Sequence, residues 1–418
     1  MGAPIRNDNP PRGLMGWIEE RIPVFGFMRA HTSEYYAPKN FNVWYYFGSL
    51  ALLVLVNQIV TGIWLTMNFK PSAAEAFNSV EYIMRDVDWG WLIRYMHSTG
   101  ASLFFVVVYL HMFRGLMYGS YKKPRELLGV IGMFIYLALM AEAFMGYVLP
   151  WGQMSGWGAQ VIISLFGAIP GIGEGLVEFI RGDYLISDAT LNRFFALHVI
   201  ALPLVLILLI VLHLGALHTV GSNNPDGVEI KRFKDDQGRP LDGIPFHPYY
   251  TVKDLVGVGF FLIFAAFILF FEPTFGGLFL EKDNFVPYDP LVTPEHIVPV
   301  WYFTPYYAML RLVPDKLLGV IVMFAAIAVL FVVPWLDRSP VKSWRYRGGL
   351  FKIALGLFAL SFIWLGKIGA GAGTDPVETI IGRVLTVVYF GYFVFLFVYT
   401  HFGFEKSKPV PDRVPLHD

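Results

Sequence analysis

The sequence predicts an all-α integral membrane protein with eight transmembrane helices. Of its 418 residues 56% are apolar and only 15% are charged, against about 25% charged in ordinary soluble domains. Eight apolar stretches each approach the ~20 residues that a spanning helix needs. Basic residues collect in every second loop between those stretches. Net charge is zero, so no basic surface steers the chain toward nucleic acid, and no nucleic-acid partner is expected. Cysteine is absent, which excludes disulfides and thiolate ligands.

Residues 1–42 are polar and Pro-rich and read as a surface segment, with an amphipathic piece from Trp17 to Phe27 broken by Pro23. The first apolar stretch is a full span, not the short apolar core of a secretory signal. Spans are expected at about 43–68, 91–119, 127–149, 191–219, 254–273, 317–336, 350–366 and 378–401, the seventh being short. The loop after the second carries Lys122, Lys123 and Arg125. That after the fourth carries Lys231, Arg232, Lys234 and Arg239, and that after the sixth Arg338, Lys342, Arg345 and Arg347. By the positive-inside rule these loops are cytoplasmic, and the even number of spans puts both termini there. Segments 150–190 and 274–316, rich in Pro, Gly and aromatics, then form folded outer caps with interfacial helices. The expected divisions are a surface segment 1–42, a four-helix bundle 43–219, a loop and fifth span 220–273, an outer loop 274–316, a three-helix region 317–401 and a tail 402–418.

Two histidine pairs stand out in the bundle. His97 and His111 are 14 residues apart on the second span, His198 and His213 15 apart on the fourth. Both spacings are close to four helical turns and put the rungs roughly 21 to 22 Å apart, inside a hydrocarbon core of roughly 30 Å. Ionisable side chains at that depth are rare and usually functional. The second and fourth spans run in the same direction, so His97 and His198 share the outer level and His111 and His213 the inner one. A lone membrane histidine is more often a hydrogen-bonded core residue or a proton relay. Four at two matched levels favour two bis-histidine haems stacked across the membrane.

Gly48 and Gly62 in the first span, and Gly132 and Gly146 in the third, repeat the 14-residue pitch. Glycine weakens a helix unless something must approach the backbone. A flat macrocycle wedged against each helix supplies that reason, whereas ordinary small-residue packing explains a single pair as well. Arg94 and Arg114, each three residues from a ladder histidine, either pair with anionic propionates or snorkel to the span ends.

Longer strings carry a resemblance. Arg94-Tyr95-Met96-His97, Gly146-Tyr147-Val148-Leu149-Pro150-Trp151-Gly152-Gln153-Met154-Ser155, Arg193-Phe194-Phe195-Ala196-Leu197-His198 and Gly221-Ser222-Asn223-Asn224-Pro225 are the first group. Pro245-Phe246-His247-Pro248-Tyr249-Tyr250, Lys253-Asp254 and Pro299-Val300-Trp301-Tyr302 extend it. From about residue 30 to 400 the chain resembles cytochrome b of the cytochrome bc complex, ubiquinol–cytochrome c reductase, in its uninterrupted respiratory and bacterial form. The resemblance implies a bundle whose first four spans hold two b haems, the outer on His97 and His198 and the inner on His111 and His213. It implies bifurcated oxidation of ubiquinol: one electron leaves to a Rieske iron–sulfur protein and a membrane-anchored c-type cytochrome. The other crosses the membrane through the haems to reduce ubiquinone. It further implies a homodimeric complex in the bacterial inner membrane. By the same match the outer quinol pocket involves Tyr147, Gly158, Trp301 and Tyr302. The inner pocket involves His218, Ser222, Lys253 and Asp254, groups able to donate protons and hydrogen bonds to a quinone; otherwise they are solvated loop charges.

Some positions depart from the family pattern. The usual Pro-Glu-Trp-Tyr reads Pro299-Val300-Trp301-Tyr302, so a carboxylate is missing; Glu295 is expected to supply the displaced proton acceptor, unless it is only a loop charge. The fourth-span ladder is one step longer than usual, with Pro203 between its histidines. Tyr46 replaces a small amide, Gly156 replaces an aromatic, and Glu142, four residues before Gly146, either relays protons or makes an interhelical hydrogen bond. The rival functions are a haem b anchor of a dehydrogenase or hydrogenase and a histidine-relay proton-coupled transporter.

Overall fold

The structure is a computed structural model and describes residues 13–415; residues 1–12 and 416–418, with both termini, lie outside the described residues. It is a mostly helical membrane protein. Eight helices are long and apolar enough to cross a bilayer: Val43–Thr66, Gly90–Tyr118, Glu126–Val148, Asp188–Val220, Phe246–Phe271, Lys316–Leu336, Gly349–Ala370 and Pro376–His401. Their outer faces carry Leu204, Leu208, Phe260, Ile263 and Phe271 exposed, as a lipid solvent allows and water would not. Asp315 and Asp375 cap the sixth and eighth spans, accepting from the backbone N–H groups of Leu318 and Val377, both at 2.8 Å. Ahead of the first span, helices Leu14–Arg21 and Val24–His31 are separated by Pro23, which has no N–H to continue the first.

Three boundaries differ from expectation. The seventh span reaches Ala370 instead of 366 because Lys367 lays its ammonium 5.0 Å over the Trp364 ring and needs no aqueous loop. The fifth begins at Phe246, which places Lys253 inside the helix and not in the loop before it, and puts Asp254 within the span instead of at its first residue. The fourth begins at Asp188 and contains a π-helical turn, Leu197–Ala201, in which the N–H of Leu202 donates to the carbonyl of Leu197. A π turn holds one extra residue. It falls between His198 and His213, immediately before Pro203, and absorbs the fifteenth step of that ladder.

The first span packs on the second and the third on the fourth, and the seventh packs on the eighth and on a short helix, Thr304–Arg311. One buried cluster runs through both halves, from Phe105 and Tyr136 to Tyr302, Tyr306 and Tyr389. Its tyrosines are linked: Tyr136 donates to Tyr306 at 3.0 Å and shares a 3.2 Å contact with Tyr109. At one end of the bundle the caps are knitted by Gln153, whose amide accepts from the N–H of Asp289 and donates to the carbonyl of Val292, each at 2.9 Å.

The other end is basic, and much of its charge is structural. Arg125 is buried and donates to the Gly221 carbonyl at 2.8 Å and to Glu229 at 2.9 Å; Lys342 also donates to Glu229. Asp337 is enclosed by Lys122 at 2.7 Å, Arg347 at 2.6 Å and the Tyr121 hydroxyl at 2.6 Å, and Arg347 continues to Glu405 at 2.7 Å. Burial alone would raise the Asp337 carboxyl, but Lys122 and Arg347 hold it below the usual carboxylate range. Its contribution to stability is therefore present above the unfolded carboxyl pKa and is lost as pH falls through the lowered folded value. Replacing Asp337 by Asn leaves Arg347 and Lys122 underpaired, and the cost of breaking such a pair is about 3–5 kcal/mol. A clear fall in the thermal unfolding midpoint of the detergent-solubilised protein is the expected result.

Candidate functional site

The four ladder histidines lie inside the four-helix bundle, each against a glycine of a neighbouring span. A Cβ built on Gly62 would lie 3.1 Å from Cε1 of His97, and one on Gly146 only 2.4 Å from Cε1 of His198. Gly48 stands in the same relation to His111 at 3.5 Å, and Gly132 to His213 at 3.4 Å. The paired glycines are thus matched one to one with the histidines. Each glycine leaves room for the imidazole ring beside it. The pairing also fixes the levels, with Gly62 and Gly146 beside His97 and His198, and Gly48 and Gly132 beside His111 and His213.

The rings of His97 and His198 face each other with centroids 6.1 Å apart and planes at 89°. Two imidazoles on opposite sides of one metal, each at the roughly 2.0–2.1 Å known for zinc with about 1 Å more to the ring centre, give a separation of roughly 6 Å. Among the described residues no group of three or more His, Cys, Asp or Glu could hold a bare metal ion. A facing pair, not a triad, suits an iron that brings four equatorial nitrogens of its own. The residues present therefore fit a bis-histidine haem at this level. Arg94 lines the same cavity. At the other level Arg114 Nη2 approaches His111 Nδ1 at 3.2 Å while its Nε is buried without a partner among the described residues.

The fold holds these rings from behind. Thr61 Oγ1 lies 3.0 Å from His97 Nδ1, and the side chains of Asn57 and Gln58 donate to the carbonyls of Met96 and His97, both at 2.8 Å. These three supports, adjacent to Gly62 on the first span, escape sequence reasoning because Asn, Gln and Thr there read as ordinary polar helix residues.

The cavity beside His97 and His198 continues to Tyr147, Val300 and Tyr302. Tyr302 is buried and stacked on Phe105 at 3.8 Å. Gly158 lies beside the Tyr147 ring, at 3.8 Å from a built Cβ. Trp301 turns toward the second span, donating to Ser102 Oγ at 3.1 Å, and is an anchor more than a lining residue. Glu295 is 91% exposed and lies 3.9 Å from His296, and it does not line the cavity. Another acid of the same segment reaches a lining residue. Glu281 accepts from the Tyr147 hydroxyl at 2.7 Å, and burial pushes its pKa up to about 7 despite that hydrogen bond. Glu281 stands where the apolar run Leu278-Phe279-Leu280 gives way to Lys282 and Asp283, so it carries no distinct signal in the sequence.

At the basic end His218 lies 4.4 Å from the ring of Tyr35 and 5.1 Å from that of His31, and the Tyr35 hydroxyl reaches Ser222 Oγ at 3.1 Å. Strand Tyr36–Pro38 pairs antiparallel with Gly243–Pro245 and holds this segment in place. Lys253 lies 5.3 Å over the Tyr250 ring and directly precedes Asp254 in the first turn of helix Thr251–Phe271. His218 and Ser222 are thus joined through Tyr35, which the sequence did not single out; Lys253 and Asp254 make a separate group. Two departures are absorbed sterically: a Cβ on Gly156 would strike the Tyr288 ring at 2.3 Å, and one on Gly257 would meet Tyr46 at 2.9 Å.

Residues 32–221 match the family described as cytochrome b/b6/petB, and residues 287–390 that described as cytochrome b(C-terminal)/b6/petD. A cytochrome b of Allochromatium vinosum is 61% identical over 410 residues, covering 96% of this chain and 98% of that protein. The chain belongs to the cytochrome b family. A second cytochrome b, of Rickettsia bellii, is 50% identical over 96% of each chain. Among solved structures, a chain of a hyperthermophilic respiratory Complex III superposes with a TM-score of 0.86 at 37% identity, covering 93% of this chain and 99% of that one. Family membership implies binding of b-type haem, in keeping with the imidazole geometry.

The glycine contacts grade the expected substitutions. Gly146→Ala, with its clash at 2.4 Å, should displace His198 and remove one b-type haem signal from the reduced-minus-oxidised spectrum. Gly48→Ala, where 3.5 Å is ordinary contact, should keep both signals.

Proposed function

We propose that this chain is the di-haem cytochrome b of a bacterial quinol–cytochrome c oxidoreductase. One haem is held by His97 and His198 and the other by His111 and His213, with Arg94 and Arg114 placed for their propionates. When bound, the haems supply one-electron iron chemistry linking a quinol-oxidising site at one face with a quinone-reducing site at the other. The observation that carries the reading is the facing imidazole pair, 6.1 Å apart, in a cavity continuous with Tyr147 and Tyr302. A transporter that relays protons has no need of perpendicular rings set one metal apart. A haem anchor accounts for the rings but not for the tyrosine-bound acid beside them.

In this reading the basic end faces the bacterial cytoplasm, the chain lies in the inner membrane with both termini inside, and the caps face outward. Ubiquinol bound near Tyr147 and Tyr302 yields its electrons to a Rieske iron–sulfur partner, which serves a membrane-anchored c-type cytochrome, and to this chain. Glu281 receives a proton through its contact with Tyr147, in place of the carboxylate absent at Val300; a base with a pKa near the working pH suits that task. At the inner face His218, Ser222, Tyr35, Lys253 and Asp254 supply protons and hydrogen bonds to ubiquinone. The complex is taken to be a homodimer, as the family resemblance implies.

The reduced-minus-oxidised spectrum of the purified complex tests the reading at once: two b-type components are expected, and a colourless protein ends it. The outer role of Glu281 has its own test. Its base form is the deprotonated one, so quinol oxidation should rise with pH through about 7. In Glu281→Gln turnover should fall by about 10²-fold, the lower range for a lost general base, and that rise should vanish. Glu295→Gln should leave both unchanged.

A further inference from the structure

We propose that Glu142 is a positioning residue for the iron of the outer haem: its carboxyl group, 3.0 Å from Nδ1 of His198, makes that imidazole a more electron-rich ligand than the other three. The inference rests on the reading of His198 as an axial ligand. It deepens that reading by assigning a carboxyl partner to one ring and to no other.

What stands behind Nδ1 differs at each of the four rings. His97 meets the neutral Thr61 hydroxyl at 3.0 Å. His111 meets the guanidinium of Arg114 at 3.2 Å. His213 Nδ1 is buried and meets no side chain among the described residues, with the Leu128 backbone beside it. His198 alone meets an acid: its Nδ1 lies 3.0 Å from Glu142 Oε1 and 2.9 Å from the carbonyl oxygen of the same residue. The N–H is directed to the backbone carbonyl, which fixes the tautomer, and the carboxyl oxygen stands beside the same nitrogen. The tautomer that places hydrogen on Nδ1 leaves Nε2 free to bind a metal.

The placement follows from the helix. Glu142 and Gly146 are one turn apart on the third span and so share a face. Gly146 lets the His198 ring approach the backbone, and Glu142 closes on its far nitrogen. Both side chains are mostly withdrawn from solvent, Glu142 at 17% and His198 at 14% exposed. The second carboxyl oxygen, Oε2, is buried without a partner among the described residues. An acid inside a span is costly unless it is matched, and among the described residues the His198 imidazole is the side chain recorded against it.

A carboxylate or carbonyl on the distal N–H of a metal-bound histidine raises the basicity of the ligand. A more basic axial ligand favours the oxidised metal, and such hydrogen bonding is one of the means by which a protein sets a haem potential. Glu142 therefore holds the outer haem at a lower potential than a neutral partner such as Thr61 would. The asymmetry sits on the level adjoining Tyr147 and Glu281, where electrons enter.

The test is an equilibrium redox titration of the b-haem absorbance in the intact complex carrying Glu142→Gln. The expected result is a higher midpoint for the outer haem, by up to the 59 mV that corresponds to a tenfold change in the ferrous-to-ferric ratio of a one-electron couple. The inner haem should not move. An outer midpoint equal to that of the unmodified complex, with both haems retained, overturns the proposal. If Glu142→Gln loses its haem, Glu142→Asp takes its place, and a rise in the same direction is expected; an unshifted midpoint in that variant overturns the proposal too. His198→Ala separates the two readings. Loss of the outer haem signal leaves the ligand assignment standing whatever Glu142 does, whereas retention removes that assignment and this inference with it.

Discussion

The constraint on which the structure turns is the close approach of an imidazole ring to a helix backbone, made four times inside one bundle. At Gly146 and Gly62 the ring comes too near for a side chain, whereas at Gly132 and Gly48 it rests at ordinary contact distance from where a Cβ would stand. Because His97 and His111 sit on one helix and Gly62 and Gly48 on its neighbour, the two contacts set the separation, register and antiparallel sense of the first two spans together. The third and fourth spans obey the same rule. Ordinary apolar packing between membrane helices, lacking a hydrophobic force to drive it, is much less selective about register.

That constraint explains the π turn in the fourth span. A strict α-helix carrying its histidines 15 residues apart would turn one ring away from its glycine. The extra residue is held in Leu197–Ala201, directly at His198, so that both rings still meet Gly146 and Gly132. Local helix geometry gives way and the cross-helix contact does not.

Much of this was legible in the chain. Length and apolarity set the number of spans, and helical periodicity set the histidine levels, because both depend on features repeated over many residues. Legibility fell where a role depended on a fold-made neighbour. Glu295 and Glu281 are both acids in the same outer segment, and only the packing of Tyr147 against that segment separates the exposed one from the enclosed one. Thr61 and Tyr35 are visible only through the rings they touch. The glycine pitch was readable, but the histidine that faces each glycine was not, because spacing records that something approaches without recording what. The loop charges held two messages at once: Lys122, Arg125 and Arg347 fit a topology rule and are also buried partners of Asp337 and Glu229.

The small sheet at the basic end bears on how the protein is made. Tyr36–Pro38 finds its partner only at Gly243–Pro245, some two hundred residues later. At a synthesis rate of about 5–20 residues per second, the early strand waits roughly ten to forty seconds for it. During that interval four spans have entered the bilayer and the segment bearing Tyr35 is still untethered. The haem-facing bundle can therefore close around its cofactors while access from the basic end is open, and the sheet then forms like a latch drawn across a filled room.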